Sequence, residues 1–524
     1  MSGCHAQKNA VVINLTRFGD LIQSQPVLGR LKDLGFTTHL VCLDNFLQAA
    51  RLLQGADHIH PFPGARLLAL LDSTWPGAVQ EFKNWVHKSA ALGRFDLAVN
   101  LTPSLSSRLL CWQYQAPENR GFFLDEMGFG CYSGSWAAFL QASSAHRGCS
   151  PFNIVDLFVR AAHLGPDKVR LKINRPSKNR ISDMRSLLVQ ESGGSDYSGF
   201  IAFQLGASDD KRRWPVEYFA LLGDMLCRDL NLCPVLLGSP GEKQLAEKYR
   251  TLARTGYADL TGRTDLEELS AALCSCSLLV TNDTGTMHLA AGLGVKSLAF
   301  FLATAQPWDT GPYLDNCLCL EPGVDCHPCS FSHRCQTGLH CRKIITPQLV
   351  YQAAQDFLSR GQWPEIETSQ ARIRLTVLKD NLFSLKPLNS RAMDSHSRWM
   401  QLQKHFFRLF LDKNDISPPL KLQKPDEEFS LEIVEHMSRL ASILELAGQQ
   451  AVVLNRTAPP SMKKKFLSTW QRLSHELSQS PYIPVLGLLW TYQTQASSAD
   501  LMGISKLCSA YSDLFQGISH YLRN

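Results

Sequence analysis

Short apolar runs alternate with amphipathic stretches through the first 170 residues, the pattern of a parallel sheet covered by helices. Residues 10–16 (AVVINLT) read as a buried strand, followed by a helix that ends near Gly35. The runs 38–43 (THLVCL) and 95–101 (FDLAVNL) repeat the strand signal. A more polar stretch, 172–197, reads as a connection containing one helix. The alternation then restarts, with strands expected at 199–206, 233–239, 277–282 and 296–302. Two successive doubly wound units predict an α/β protein with two Rossmann-like lobes facing a cleft. In such sheets ligands sit where strands run into helices.

Beyond about residue 365 the period changes. Phe429, Ile433, Met437, Leu440 and Leu444 recur at helical spacing, as do Phe466, Trp470, Leu473 and Leu477. Prolines interrupt the pattern at 418–425 and 459–460, which predicts about five helices in an appended all-α domain without visible chemistry. The expected organisation is therefore an N-terminal lobe (1–171), a connecting segment (172–197), a C-terminal lobe (198–364) and a helical accessory domain (365–524).

Composition narrows the function classes. A chain of 524 residues exceeds one core, and 44% hydrophobic with 19% charged residues is ordinary for a globular protein. The net charge of +6 suits an anionic substrate or an acidic membrane surface, not a dedicated nucleic-acid binder. The start, MSGCHAQKNAVVINLTRFGD, lacks a long apolar stretch behind a positive region, and no run of 18 apolar residues occurs. A cytoplasmic location is expected, so the 16 cysteines read as reduced thiols or metal ligands. The acceptor-like tripeptides at Asn14, Asn282 and Asn455 then carry no glycosylation meaning.

Four junctions carry unusual residues. The first is Arg17-Phe18-Gly19-Asp20, directly after the first strand. Asp20 there is placed either to take a proton from an acceptor hydroxyl or merely to cap the next helix. The second is Gly206 to Pro215 (GASDDKRRWP), where small residues admit a phosphate and Lys211, Arg212 and Arg213 neutralise it. The plain alternative is a solvated basic loop.

The third is Asn282-Asp283-Thr284-Gly285-Thr286-Met287-His288. Its helix-start N–H groups would form an anion nest, with the Thr284 and Thr286 hydroxyls as added donors and His288 close by. Otherwise Asp283 or Thr284 is only a cap. The fourth is Cys326, Cys329, Cys335 and Cys341, four cysteines in sixteen residues. They either hold a structural zinc or iron ion or are simply reduced thiols.

Together these junctions resemble glycosyltransferase family 9, the ADP-heptose:lipopolysaccharide heptosyltransferases. The resemblance rests on 11–32, 203–226, 260–301 (LTGRTDLEELSAALCSCSLLVTNDTGTMHLAAGLGVKSLAFF), TGPY at 310–313 and the cysteine segment 326–350. It implies a GT-B fold, with a nucleotide-sugar donor in the second lobe and the acceptor mainly in the first. It also implies that no metal cofactor is required for catalysis. By the same resemblance Asp20 is the general base and Arg17 lies on the acceptor side. Ser208, Lys211 and Arg212 form the phosphate loop, Glu242 approaches the nucleoside, and Asp283, Thr284, Gly285, Thr286 and His288 form the donor turn.

Two departures stand out. Arg212 occupies the position two before Trp214 where relatives carry Lys, so either it or Lys211 holds the diphosphate. The helical tail has no counterpart. The implied function is inverting transfer of a heptose from ADP-heptose to a lipopolysaccharide core or related glycan, on a glycan or glycolipid acceptor at the inner membrane surface. The alternatives are transfer to a protein or another glycan, for which the cysteine cluster speaks, or a lapsed enzyme that keeps the nucleotide site as a scaffold. A basic surface-docking stretch at 462–466 reads more simply as a solvated face.

Overall fold

The computed structural model describes all residues except 1–7, 91–92, 146–148, 166–168, 195, 330–334, 380, 420, 457–458 and 496–499. Its first sheet contains β1 (Lys8–Ile13), β2 (Phe36–Leu43), β3 (His58–Phe62), β4 (Leu97–Asn100), β5 (Glu118–Leu124) and β6 (Gly130–Tyr132) in the order β3-β2-β1-β4-β5-β6. Its second contains β7 (Gly199–Gln204), β8 (Leu232–Leu237), β9 (Ala258–Asp259), β10 (Leu279–Asn282), β11 (Ser297–Phe300) and β12 (Leu318–Pro322). Two further strands, β13 (Ala371–Lys379) and β14 (Leu382–Pro387), complete it in the order β14-β13-β12-β11-β10-β7-β8-β9.

The two orders repeat each other. In each, the first strand sits centrally, the next two lie to one side, and the fourth crosses to the other. That is the doubly wound arrangement, with a topological switch point beside β1 and β4 and again beside β7 and β10. β1 is parallel to β2 and β4, and β7 to β8 and β10, as right-handed crossover connections require. Val11, Val12 and Ile13 in β1, and Ile201, Ala202 and Phe203 in β7, are fully buried because helices cover both faces.

The second core gathers around Trp214, whose ring stacks on Phe300 at 4.4 Å. The indole N–H donates to the Ile345 carbonyl at 2.9 Å, so this large side chain is buried with its polar atom satisfied.

The second sheet runs beyond the expected lobe boundary at 364. β13 lies antiparallel to β12 with Leu320 opposite Ile373, so residues 371–387 belong to the sheet rather than to the helical tail. Ile373 alternates with charged Arg372 and Arg374, a strand period that the change to helical spacing further on had masked.

The chain divides into two compact units, Met1–Arg120 with Asn153–Ala392 and Gly121–Phe152 with Met393–Asn524. The second holds the five tail helices, Ser395–Leu411, Glu427–Arg456, Pro460–Ser478, Pro484–Thr494 and Leu501–Arg523. Ile433, Met437, Leu440 and Leu444 are fully buried along the long helix, which packs against Leu501–Arg523. Its other part is the helix Ser135–Ala145, where the Trp136 indole donates to Asp412 at 2.8 Å. No local pattern announces that this segment of the first 170 residues packs with the tail.

Candidate functional site

Asp20 is the third residue of the helix Phe18–Gln23, which begins at the carboxyl end of β1. The cap position is Arg17, which is exposed and makes no side-chain capping bond. Asp20 is therefore not the cap. It lies within the first turn, 7% exposed. Asn14, at the end of the strand, braces the loop by accepting from the Thr16 N–H at 3.1 Å and donating to the Asp20 carbonyl at 3.5 Å.

The helix Gly285–Leu293 begins at the carboxyl end of β10. Thr284 occupies its cap position with no side-chain capping bond among the described residues, and its hydroxyl meets that of Thr281 at 3.3 Å. The Met287 N–H donates to the Thr284 carbonyl at 3.1 Å, and the Gly285 and Thr286 N–H groups open the helix, where an anion nest forms. His288 is on the same turn and buried.

The two helix starts touch. A Cβ on Gly19 would lie 3.1 Å from His288 Cδ2, and one on Gly285 would lie 2.2 Å from Phe18 Cδ1. The carboxyl ends of β1 and β10 thus face each other, with the Asp20 turn against the Asp283–His288 turn. Glycine at both positions permits this approach.

The loop after β7 supplies the cations. Arg212 forms an ion pair with Asp283, and its second nitrogen donates to the Ser208 hydroxyl at 3.2 Å. Lys211 is exposed, and its charge favours the ionised thiols of Cys329 and Cys335. Of the two expected phosphate cations, the fold brings Arg212 to the donor turn and leaves Lys211 exposed. Arg213 donates to the Ala207 carbonyl at 3.1 Å and so closes its own loop.

Glu242 sits in a capping box, accepting from the Ser239 N–H at 2.6 Å and the Ser239 hydroxyl at 2.9 Å. Its carboxylate lies over Gly206, where a Cβ would fall 1.3 Å from Oε1, so any side chain there would displace the Glu242 carboxylate. Gln204 links it to the donor turn. The Gln204 amide donates to Glu242 at 3.2 Å and accepts from the Thr286 hydroxyl at 3.0 Å.

Three residues outside the expected site set hold this site together. Asn282, fully buried, accepts from the Trp214 N–H at 2.8 Å and donates to the Leu205 and Gly206 carbonyls at 3.0 and 3.1 Å. It fixes the phosphate loop to the strand that carries Asp283. Arg342 pins the same loop from the cysteine segment, donating to the Arg213 carbonyl at 2.8 Å and to Asp210 at 2.6 Å. Asp156, 2% exposed, accepts from the Tyr313 hydroxyl at 2.7 Å and the Phe383 N–H at 3.0 Å, so the TGPY stretch docks on the helix Ile154–Ala161. Only the position of Asn282 beside Asp283 gave a local signal.

Burial raises the Cys341 thiol, and Cys329, Cys326 and Cys335 raise it further. Cys335 is lowered by the Thr337 hydroxyl and the Leu339 N–H, with Lys211 adding to the effect. Among the described residues no group of three or more His, Cys, Asp or Glu side chains converges to hold a metal ion. Residues 330–334, between Cys329 and Cys335, lie outside the described set.

Against known proteins, residues 86–339 match the model of glycosyltransferase family 9 (heptosyltransferase). This stretch, just under half of the chain, is similar to family 9. The match begins after Asp20 and contains the complete set of expected donor-side residues. Lipooligosaccharide heptosyltransferase 2 of Campylobacter jejuni is 27% identical over 157 residues, 29% of this chain and 48% of that protein. Lipopolysaccharide heptosyltransferase 2 of Salmonella typhimurium is 27% identical over 181 residues, 33% of this chain and 51% of that protein. The chain thus spans about half the length of these curated relatives. Among solved structures, the ADP-heptose lps heptosyltransferase II of E. coli covers 67% of this chain and 99% of its own, at 18% identity and TM-score 0.49. The fold is GT-B, two doubly wound α/β lobes. The tail helices lie outside the match.

Proposed function

We propose that this chain is an inverting glycosyltransferase that moves a heptose from ADP-heptose to a hydroxyl of a lipopolysaccharide core or related glycan. The observation that carries the reading is the contact between the Asp20 turn of the first lobe and the Asp283–His288 turn of the second. A base and an anion nest meet at one seam.

In this mechanism Asp20 accepts the proton of the acceptor hydroxyl as that oxygen attacks the anomeric carbon. The sugar–phosphate bond breaks on the opposite face, and the diphosphate leaves with the electron pair. Arg212, the Ser208 hydroxyl and the free N–H groups of Gly285 and Thr286 stabilise the charge developing on it. Asp283 orients Arg212 and offers its carboxylate to sugar hydroxyls, while His288 lines the same turn. Glu242 and Gln204 shape the nucleoside end. Arg17 faces the acceptor side, and Lys211 supplies long-range positive potential. Cation and N–H neutralisation makes a catalytic metal unnecessary. A structural zinc or iron ion at Cys326, Cys329, Cys335 and Cys341 would brace the loop beside Lys211 and take no part in the chemistry; elemental analysis of the purified chain tests it.

A glycan or glycolipid acceptor of this kind places the reaction on the cytoplasmic side of the inner membrane. Among the described residues no helix is long and apolar enough to cross a membrane. Calorimetric titration with ADP, UDP and GDP, using Asp283→Ala as control, tests the reading. Selective binding of ADP that the substitution abolishes supports it. Preference for another nucleotide discards the sugar, and absence of all binding favours a scaffold.

A further inference from the structure

The helix Gly64–Ser73 contains Leu67, Leu68, Leu70 and Leu71, yet none of its residues is buried among the described residues. Leu68 and Leu71 are 67% and 55% exposed, and Trp75, which opens the following helix Trp75–Ala90, is 66% exposed. A ten-residue helix is marginal by itself in water and needs an apolar face buried against something. Here it packs on the helix Trp75–Ala90, half-burying Leu67 and Leu70 and leaving Leu68 and Leu71 in solvent. Contiguous apolar exposure of this kind marks a docking surface.

The charges say what docks. Trp75, Val79, Lys83 and His87 follow one another every four residues and share one helical face. All four are exposed, Lys88 lies beside them, and no carboxylate occurs in the row. Asp72 is at the helix junction, and Glu81 is turned to Arg66 at 3.5 Å. The face is therefore apolar at its tip and cationic along its shaft. From Trp75 to Lys83 the axial rise is ~12 Å. That rise exceeds a headgroup layer roughly 5–8 Å thick, so a hairpin tilted from the membrane normal sets Trp75 at the acyl boundary and Lys83 among the headgroups. Tryptophan at such a boundary and lysine at the phosphates are the arrangement an anionic bilayer selects. A second copy would instead bring Lys83 and Lys88 against a like-charged face.

We propose that the 64–90 helical hairpin docks this chain on an anionic phospholipid bilayer. The hairpin starts directly after the carboxyl end of β3, which is parallel to β2 and through it to β1, so it rises from the same sheet edge as Asp20. Docking there turns that edge toward a lipid-borne acceptor. Vesicle binding needs no nucleotide, so the inference is tested apart from the donor reading.

The experiment is cosedimentation of the full chain with phosphatidylcholine vesicles, with and without phosphatidylglycerol. The native chain binds the anionic vesicles more tightly than the neutral ones. Leu68→Ser, Leu71→Ser and Trp75→Ser combined, all at exposed positions, lower vesicle affinity roughly 100-fold while the melting temperature holds. Lys83→Glu with Lys88→Glu lowers affinity for the anionic vesicles at least about 30-fold and spares the neutral ones. Failure of the native chain to bind either vesicle overturns the proposal, and so does a triple variant that binds like the native chain. A native dimer in light scattering that the triple variant converts to monomer also overturns it, because a second copy then covers the face.

Discussion

Phe18 lies so close to Gly285 that any side chain at that glycine would meet its ring: a Cβ there falls 2.2 Å from Cδ1 and 2.6 Å from Cε1. The ring belongs to the turn that carries Asp20, and the glycine opens the helix of the donor turn. Gly285→Ala therefore pushes the two turns apart. We expect a loss of about 1–3 kcal/mol of stability from overpacking, read by thermal melting, with a larger fall in turnover. Adding Phe18→Ala relieves the clash, so the double variant melts higher than Gly285→Ala alone. If the two changes simply add, the contact is not the cause.

Asp20 sits inside the first turn rather than at the cap. Asp20→Asn keeps its size and its place near the helix start while removing the base. Turnover should fall ~10²–10⁴-fold, with ADP affinity unchanged by calorimetry. A variant that unfolds while keeping its activity per folded molecule would reduce Asp20 to a structural residue.

Arg212 and Lys211 separate cleanly. Arg212 is tied to Asp283 and Ser208, whereas Lys211 is exposed. Removing a charged hydrogen-bond donor costs roughly 1.5–3 kcal/mol, so Arg212→Met should weaken ADP binding at least tenfold. Lys211→Met should change it by less than about threefold, as a screened exposed charge does. The reverse ranking would return the diphosphate to Lys211.

A histidine cluster on the first sheet sets a pH limit. The His39 and His60 ring nitrogens are 3.0 Å apart, and His39 stacks on His58 at 4.5 Å. Burial, then the charges of His58 and His60, lower His39 from 6.5 to about 4, with Asp57 opposing them. The folded pKa is the depressed one, so the unfolded chain binds the proton first. Stability is intact above 6.5, falls as pH drops from there, and stops falling below about 4. Melting curves across this range should show the decline, and His39→Leu should flatten it. An equal slope in both proteins would place the acid sensitivity elsewhere.

Much of the fold was legible in the chain itself. The strand runs read at 10–16, 38–43, 199–206 and 233–239 are buried through their centres, at 10–14, 38–42, 200–206 and 233–237, so their apolar continuity survives in the sequence as a readable signal. The stripe from Ile433 to Leu444 is equally local, because a helix face is defined by spacing alone. β13 escaped notice because Arg372 and Arg374 interrupt its apolar run, and a strand with buried charges does not look like one. Those charges are tolerated because the fold supplies partners, among them Glu321 at 3.0 Å from Arg374 and the Pro322 carbonyl at 2.8 Å from Arg372.

What the sequence determined by itself was the set of strand-to-helix junctions, since small residues, caps and charges at those points follow from backbone chemistry within a few neighbours. Which junctions meet was decided only by the tertiary structure. Arg212 and Asp283 are 71 residues apart, Tyr313 and Asp156 are 157 apart, and Phe18 faces Gly285 across two sheets. Such pairings are set by how two doubly wound lobes bury their surfaces against each other, and no local pattern encodes that. The same burial chose Arg212 over Lys211, because only one of two adjacent cations can point into the seam.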